Sequence, residues 1–327
     1  MNPVFCVTID TECDKSAGWK VQQPLSYQNI TDGVGRYLQP LFERYQVKPT
    51  YLLSPEIMMH ASTAAYFKTL TGKAELGTHL HSEFIEPDAS LGTDNTNLFQ
   101  FELDPETEYQ KLENLTNFFR TTFGYNPLSF RAGRFGLSRH TLGILEKLGY
   151  KTDSSVTPDT WWMLNRHKGV SFLGAPYQPY FPDEKDFRKK GRLKILEVPV
   201  TTLNTKLTGW PAGLKRLINP ENKIQRNIIS RLVNPPENLR WFRPTFSSAA
   251  EMLQIAGLSD KLATGGNQPA VLCMMFHSNE YTLKTSPYSQ SETALNALKE
   301  KLEGILEGCK KEGFVPATLS KVTSLFK

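Results

Sequence analysis

The chain has 327 residues, a net charge of +5 and 39% hydrophobic residues, enough to bury one large α/β barrel or two smaller domains. It holds no run of about 18 apolar residues to span a bilayer, and its first strand begins at Pro3 or Val4, which leaves no room for a secretory leader. The expectation is therefore a soluble cytoplasmic protein. Cys6, Cys13, Cys273 and Cys309 show no CxxC spacing and read as buried thiols, not as a disulfide frame or a zinc knuckle.

The apolar run Val4–Ile9 predicts a first strand, and Thr8-Ile9-Asp10-Thr11-Glu12 stands where it exits toward solvent. Asp10 and Glu12 are two apart, so on an extended chain they share a face. Strands are next expected at Pro49–Leu53 and Ala74–Thr78, the latter running into Glu75-Leu76-Gly77-Thr78-His79-Leu80-His81-Ser82-Glu83. Two acids and two histidines at strand ends make a candidate metal site, in which one carboxylate holds a cation and the other stays free as a base.

Asp104-Pro105 opens a helix that should run to Phe123 and stop at Gly124. A strand at Ser129–Arg131 leads into Gly133-Arg134-Phe135-Gly136, and Ser138 starts a helix with Leu142, Leu145 and Leu148 inward. Strands follow at Tyr150–Asp153, Ile195–Val200 and Ala270–Phe276, the last ending in His277-Ser278. Ser289 with Glu292 reads as a capping box for the last long helix. This alternation predicts an α/β fold with a mainly parallel sheet, and seven or eight such units over residues 1–327 favour a single barrel over an open sheet.

An insertion or lid is expected near 203–265. Between Leu203 and Pro244 stand Lys206, Lys215, Arg216, Lys223, Arg226, Arg231, Arg240 and Arg243 against only Glu221 and Glu237. Such a stretch is either a solvated helical face or a surface for an anionic glycan or a membrane. It lacks a recognisable nucleic-acid module, so no nucleic-acid partner is expected.

In their order and context, the motifs around Asp10, His79, Arg131, Asp153 and His277 resemble those of the polysaccharide deacetylases of carbohydrate esterase family 4, the NodB homology group. The likeness runs from Val4 to about Phe314 and is nearest to a subgroup with Thr-x-Asp-x-Glu and Gly-x-His-Leu-His motifs. It implies a distorted (β/α) barrel with one divalent metal, zinc foremost, with cobalt, manganese or nickel compatible, and an acetylated saccharide as substrate. The implied enzyme is a hydrolase of carbon-nitrogen bonds other than peptide bonds, removing N-acetyl in preference to O-acetyl groups.

By the same resemblance Asp10 would be the general base and Arg131 its partner. Glu12 and His79 would bind the metal, Glu12 in place of the adjacent Asp more usual in the family. Asp14 is the weaker substitute for Glu12. The usual second histidine lies four after the first, where this chain has Glu83, so either His81 coordinates with Glu83 in support or Glu83 coordinates. We favour His81, because a further carboxylate would weaken the metal as a Lewis acid. His277 would be the general acid, and Asp153 would hydrogen-bond it. Arg134 could meet substrate, and Trp161, Trp162, Trp210 and Trp241 are either core residues or sugar-stacking faces. Tyr177, Tyr180 and Phe181 among prolines read as a rigid loop at the barrel mouth. The alternatives are a metal-independent hydrolase of a small amide and an inactive saccharide-binding barrel.

Overall fold

Seven of the strands found are those the apolar runs predict, each shifted by no more than a few residues at its ends. The computed structural model describes residues 2–90, 99–165, 168–233, 238–262 and 268–326. Its main sheet comprises β1 (Val4–Thr11), β2 (Thr50–Leu53), β3 (Glu75–Leu80), β4 (Ser129–Ala132), β5 (Thr152–Asp153), β6 (Leu196–Glu197), β7 (Val271–His277) and β8 (Val315–Pro316). The strands are parallel and ordered β7-β1-β2-β3-β4-β5-β6. β7 covers one edge of β1 from Val4 to Asp10. The other edge is divided between β8, at Val4 and Phe5, and β2, at Thr8 to Thr11. Past β6, Thr201 donates its N–H to Cys273 O of β7 (3.0 Å) and accepts at Oγ1 from Cys273 N (2.8 Å). The sheet thereby curls into a distorted (β/α) barrel. Sequence reading missed β8, a two-residue strand ending in a proline, which cannot donate to the ladder.

Alternation along β1 sorts its side chains into two layers. Phe5, Val7 and Ile9 join the outer core beneath the helices, while Val4 and Cys6 pack inside the barrel with Leu52, Leu196, Val198, Val271 and Cys273. The same period directs Thr8, Asp10 and Glu12 inward at the other end. The interior is thus apolar where the strands begin and polar where they finish. Gly77 lies on β3 one layer below His79, where a Cβ would stand 2.5 Å from Ser129 O and 2.8 Å from Leu52 Cδ2. Only glycine lets the strands approach this closely under the site.

The helix Pro105–Phe123 is capped by Asp104, whose carboxylate accepts from Glu106 N and Thr107 N, and Gly124 ends it in the left-handed region at φ 81°. The last long helix is Glu292–Lys311, and its cap is Ser291, not Ser289, whose hydroxyl pairs with Ser286 in the preceding turn. The Tyr177–Phe181 segment also departs from expectation. Gln178 Oε1 accepts from the N–H of Val271, the first residue of β7 (2.8 Å), and Phe181 packs on the Val4–Cys6 layer. That segment therefore closes the barrel end opposite the polar one. Among the described residues no helix is long and apolar enough to cross a membrane.

The basic stretch falls in the long connection between β6 and β7. There Thr202–Asn204 pairs antiparallel with Leu239–Trp241, and helices span Ala212–Leu217, Lys223–Val233 and Ala249–Leu262. Glu237, residues 263–265 and the side chain of Arg231 lie outside the described residues. Several of its cations are held within the protein. Lys215 is buried with Nζ 2.5 Å from Asp159 Oδ2, Arg216 donates to the carbonyls of Gly174 and Arg188, and Arg240 pairs with Glu251 at 2.8 Å. Arg243 reaches Glu280 at 2.6 Å.

Candidate active site

Arg131 on β4 has the largest fully buried side chain described, and a guanidinium without water needs every donor placed. Its Nη1 donates to Asp10 Oδ1 (2.6 Å), Nη2 to Thr8 Oγ1 (2.7 Å) and Ser154 Oγ (2.9 Å), and Nε to Ser154 O (2.6 Å). Burial raises the Asp10 carboxyl, but Arg131, then His79 and His277, bring it below its ordinary range. Asp10 is therefore ionised at neutral pH, with Oδ2 turned into the site 3.9 Å from His79 Nε2 and 4.0 Å from His277 Nε2.

Glu12, His79 and His81 form a buried group whose ligand atoms lie within 4.8 Å of one another. His79 Nδ1 is bonded to the carbonyl of Arg131 (2.9 Å), so its hydrogen lies there and the Nε2 lone pair faces inward. Glu12 Oε1 lies 3.3 Å from that Nε2 and 2.9 Å from His81 Nε2. The spacing and donor set fit a divalent ion of the zinc type: two imidazoles and one carboxylate with room for water. Glu12 Oε2 is occupied by Lys15 Nζ at 3.0 Å, with both side chains about 5% exposed. Burial opposes ionisation of both, yet each favours the charge of the other, so the Glu12 carboxyl falls well below its ordinary range and the Lys15 ammonium rises above its own. Lys15 thus leaves Oε1 as the oxygen of Glu12 turned to the histidines. It escaped sequence reading because a lysine in a loop ordinarily faces water.

Glu83 stands behind His81, with Oε1 3.3 Å from Nδ1 and 2.6 Å from Arg134 Nη2. Burial works against a charge on His81, but Glu12 and then Glu83 bring the metal-free imidazole up to about 9. Arg134, which could meet substrate, is paired with Glu83 in a turn where a Cβ on Gly133 would meet Leu80 O at 2.3 Å. Asp14 turns away from the cluster and accepts from Ser26 Oγ, Gln28 N and Asn29 N, which orders the loop that follows.

His277 ends β7 opposite Asp10 in register, its Nε2 3.9 Å from Glu12 Oε1. The expectation that Asp153 supports it needs correction. Asp153 is in register with Phe130, an outer-core residue, and with Glu197, so its side chain takes the outer face, while Ser154 turns inward to Arg131. Asp153 accepts from Ser155 N (3.0 Å) and Ser155 Oγ (2.8 Å). Burial raises both its carboxyl and that of Glu197, its neighbour in register. The partner of His277 is Glu280, whose Oε1 lies 2.8 Å from Nδ1 and also accepts from Arg243 Nη2 (2.6 Å). Burial pushes the Glu280 carboxyl up, but Arg243 and then His277 hold it down at about 2. Glu280 therefore stays anionic and takes the Nδ1 hydrogen, which leaves Nε2 facing the site.

Aromatic rings continue from His277 in an unbroken arc. Trp19 lies 4.9 Å from the imidazole, Tyr288 5.5 Å from Trp19, Phe246 5.8 Å from Tyr288 and Trp241 5.9 Å from Phe246. Trp162 follows at 5.9 Å and Phe135, stacked on it, at 5.3 Å. Of the tryptophans weighed from sequence, Trp162 and Trp241 belong to this arc, Trp161 is buried and Trp210 is exposed.

The chain gathers carboxylates and histidines at the strand ends of a (β/α) barrel, and comparison with solved structures makes the fold specific. A Mycobacterium smegmatis protein described as a polysaccharide deacetylase matches with a TM-score of 0.51 at 15% identity, covering 99% of this chain and 93% of that one. A Pseudomonas aeruginosa PAO1 protein described in the same terms matches at 0.52 and 14%, covering 99% and 89%. An allantoinase matches at 0.50 and 14%, with the same coverages. The chain has the polysaccharide-deacetylase fold. No protein-family model and no curated protein sequence matches it.

His81→Ala should abolish stoichiometric metal binding, whereas Glu83→Ala should keep one equivalent at an affinity about 10–100-fold lower, as read by metal titration; the reverse pattern would make Glu83 the ligand. Glu280→Gln should lower kcat on the order of tenfold or more with metal content unchanged, while Asp153→Asn should alter thermal stability more than kcat.

Proposed function

We propose that the protein is a metal-dependent deacetylase that hydrolyses an acetyl group, N-acetyl in preference to O-acetyl, from a sugar or polysaccharide precursor. The observation that carries this reading is the convergence at one barrel end of an ionised Asp10 and a partnered His277, with Oδ2 and Nε2 4.0 Å apart, each 3.9 Å from a member of the Glu12–His79–His81 group. A divalent ion held by Glu12, His79 and His81, zinc foremost with cobalt, manganese or nickel as further candidates, would supply Lewis acidity to the acyl group and the attacking water.

The chain's own groups divide the proton transfers. Asp10 Oδ2 accepts the proton of the attacking water while Arg131 keeps Oδ1 fixed, so the carboxylate acts through one oxygen. His277 gives the proton on Nε2 to the departing amine as the carbon-nitrogen bond breaks. Glu280 stabilises the charged imidazole before that step and fixes the ring throughout. One proton enters the site on Asp10 and one leaves from His277, so the pair returns to its starting state when they exchange.

The aromatic arc supports a sugar as substrate. Trp162, Tyr288 and Trp19 are partly exposed and Phe246 is 49% exposed, and aromatic faces next to polar groups stack on pyranose rings. A saccharide-binding barrel without turnover has no use for both a base and an acid, and a metal-independent amide hydrolase has none for the Glu12–His79–His81 group.

Acetate release from a panel of N-acetylated oligosaccharides tests the proposal. Release is expected to stop with a chelator and return with zinc, and Asp10→Asn and His277→Ala should each lower kcat by about 10²–10⁴-fold with one metal equivalent retained. Release that a chelator leaves unchanged would overturn the metal-dependent reading, and metal loss in either variant would reassign its role.

A further inference from the structure

The connection between β6 and β7 exposes apolar side chains to an extent seen nowhere else in the described residues. Of the eleven strongly exposed large hydrophobic side chains, four fall within residues 210–224: Trp210 at 45%, Leu214 at 56%, Leu217 at 76% and Ile224 at 72%. Leu217 and Ile224 are the two most exposed of all. Single exposed apolar residues need no explanation, but a sequence-local group of this kind marks an interaction surface.

The helix Ala212–Leu217 shows how this face is set. Lys215 is 2% exposed and anchored to Asp159, which fixes one side of the helix against the protein. Leu217 is two positions on, roughly 160° around the axis, and points away from that anchor; Leu214 lies on the side of Leu217, three residues earlier. The apolar face is therefore presented outward by a buried ion pair and is not the loose side of a frayed segment.

Charge selects the occupant. Lys206 and Lys223 are exposed and flank these residues in sequence, and neither has an acidic partner among the described residues. Glu221 is the only acid among the described residues between 203 and 244. Apolar side chains including a tryptophan, flanked by unpaired lysines and almost free of acids, match the interface of an anionic bilayer: rings and aliphatic chains enter the headgroup boundary while ammonium groups meet lipid phosphates. A second copy of the same face would instead bring lysine against lysine.

We propose that this face of the β6–β7 connection seats the protein on an anionic lipid surface. The same connection supplies Arg243 to Glu280 and Phe246 to the aromatic arc, so the docked element is also the one that builds one wall of the candidate active site. The proposal concerns the surface alone and stands whether or not the site removes acetyl groups.

Flotation of the full chain with vesicles of phosphatidylcholine, or of phosphatidylcholine with phosphatidylglycerol, tests it without reference to activity. The protein should float with the phosphatidylglycerol vesicles and remain largely unbound with phosphatidylcholine alone. Leu217→Ser/Ile224→Ser should lower the partition at least roughly tenfold, and Lys206→Glu/Lys223→Glu should lower it by about fivefold or more per charge. Both pairs are exposed, so unchanged thermal unfolding is expected and would separate lost docking from lost folding. Absence of flotation with either vesicle, or equal flotation of the Leu217→Ser/Ile224→Ser variant, would overturn the proposal. So would concentration-dependent dimerisation that this variant abolishes, since the face would then join two copies of the chain.

Discussion

The guanidinium of Arg131 carries its charge in a place with no water to solvate it, and much of the site follows from satisfying it. Removing such a group from water costs several kcal/mol unless its donors find partners. The partners here are Thr8 and Asp10 from β1 and Ser154 from the end of β5, while the backbone carbonyl of Arg131 takes His79 Nδ1 from β3. One residue thus registers four strands against each other. It also decides two chemical states, the ionised form of Asp10 and the tautomer that turns His79 Nε2 toward Glu12. The apolar layer of Val4, Cys6, Leu52 and Cys273 below it keeps the guanidinium dry, which makes these placements obligatory and not merely favourable.

The polar end of the barrel is completed from a part of the chain that does not follow the barrel's alternation. Arg243, from the basic connection, meets Glu280, and Glu280 meets His277. A charge sequence of cation, anion and imidazole therefore runs from the connection to the site. Lys215 performs the corresponding structural task at a distance, binding the connection to Asp159. The stretch that composition alone marks as basic supplies two buried counter-ions, Lys215 and Arg243, and its outward face owes as much to Leu217 and Ile224 as to its lysines.

What was legible in the sequence was what periodicity and local chemistry encode. Short β-rich runs locate the seven main strands because buried parallel strands are continuously apolar, and the Asp104 cap and Gly124 stop locate the long helix almost to the residue. Asp10, Glu12, His79, His81, Arg131 and His277 stand at strand ends, so one shared end of the barrel gathers them. Asp153 failed because its strand is two residues long and gives no alternation to read, and the structure turns Ser154 inward in its place. Glu280 lay within sight, three residues past His277, but its closure onto Nδ1 depends on a single 3-10 turn that no pattern marks. Lys15 and Trp19 belong to an irregular loop whose positions are set by tertiary hydrogen bonds, such as Lys15 N to Thr285 O, and these have no sequence signature. The Tyr177–Phe181 segment was placed at the wrong end because proline and tyrosine content says that a loop is rigid without saying where it lies.

The arrangement proposed is a metal ion held by Glu12, His79 and His81 with Asp10 and His277 flanking it. Anomalous diffraction from zinc-loaded crystals, recorded on both sides of the zinc absorption edge, tests it most directly. One peak is expected with Glu12 Oε1, His79 Nε2 and His81 Nε2 at about 2.0–2.2 Å, and Glu83 still bonded behind His81. A peak ligated by Glu83 in place of His81, or no peak between these three residues in protein that has taken up zinc elsewhere, would contradict it.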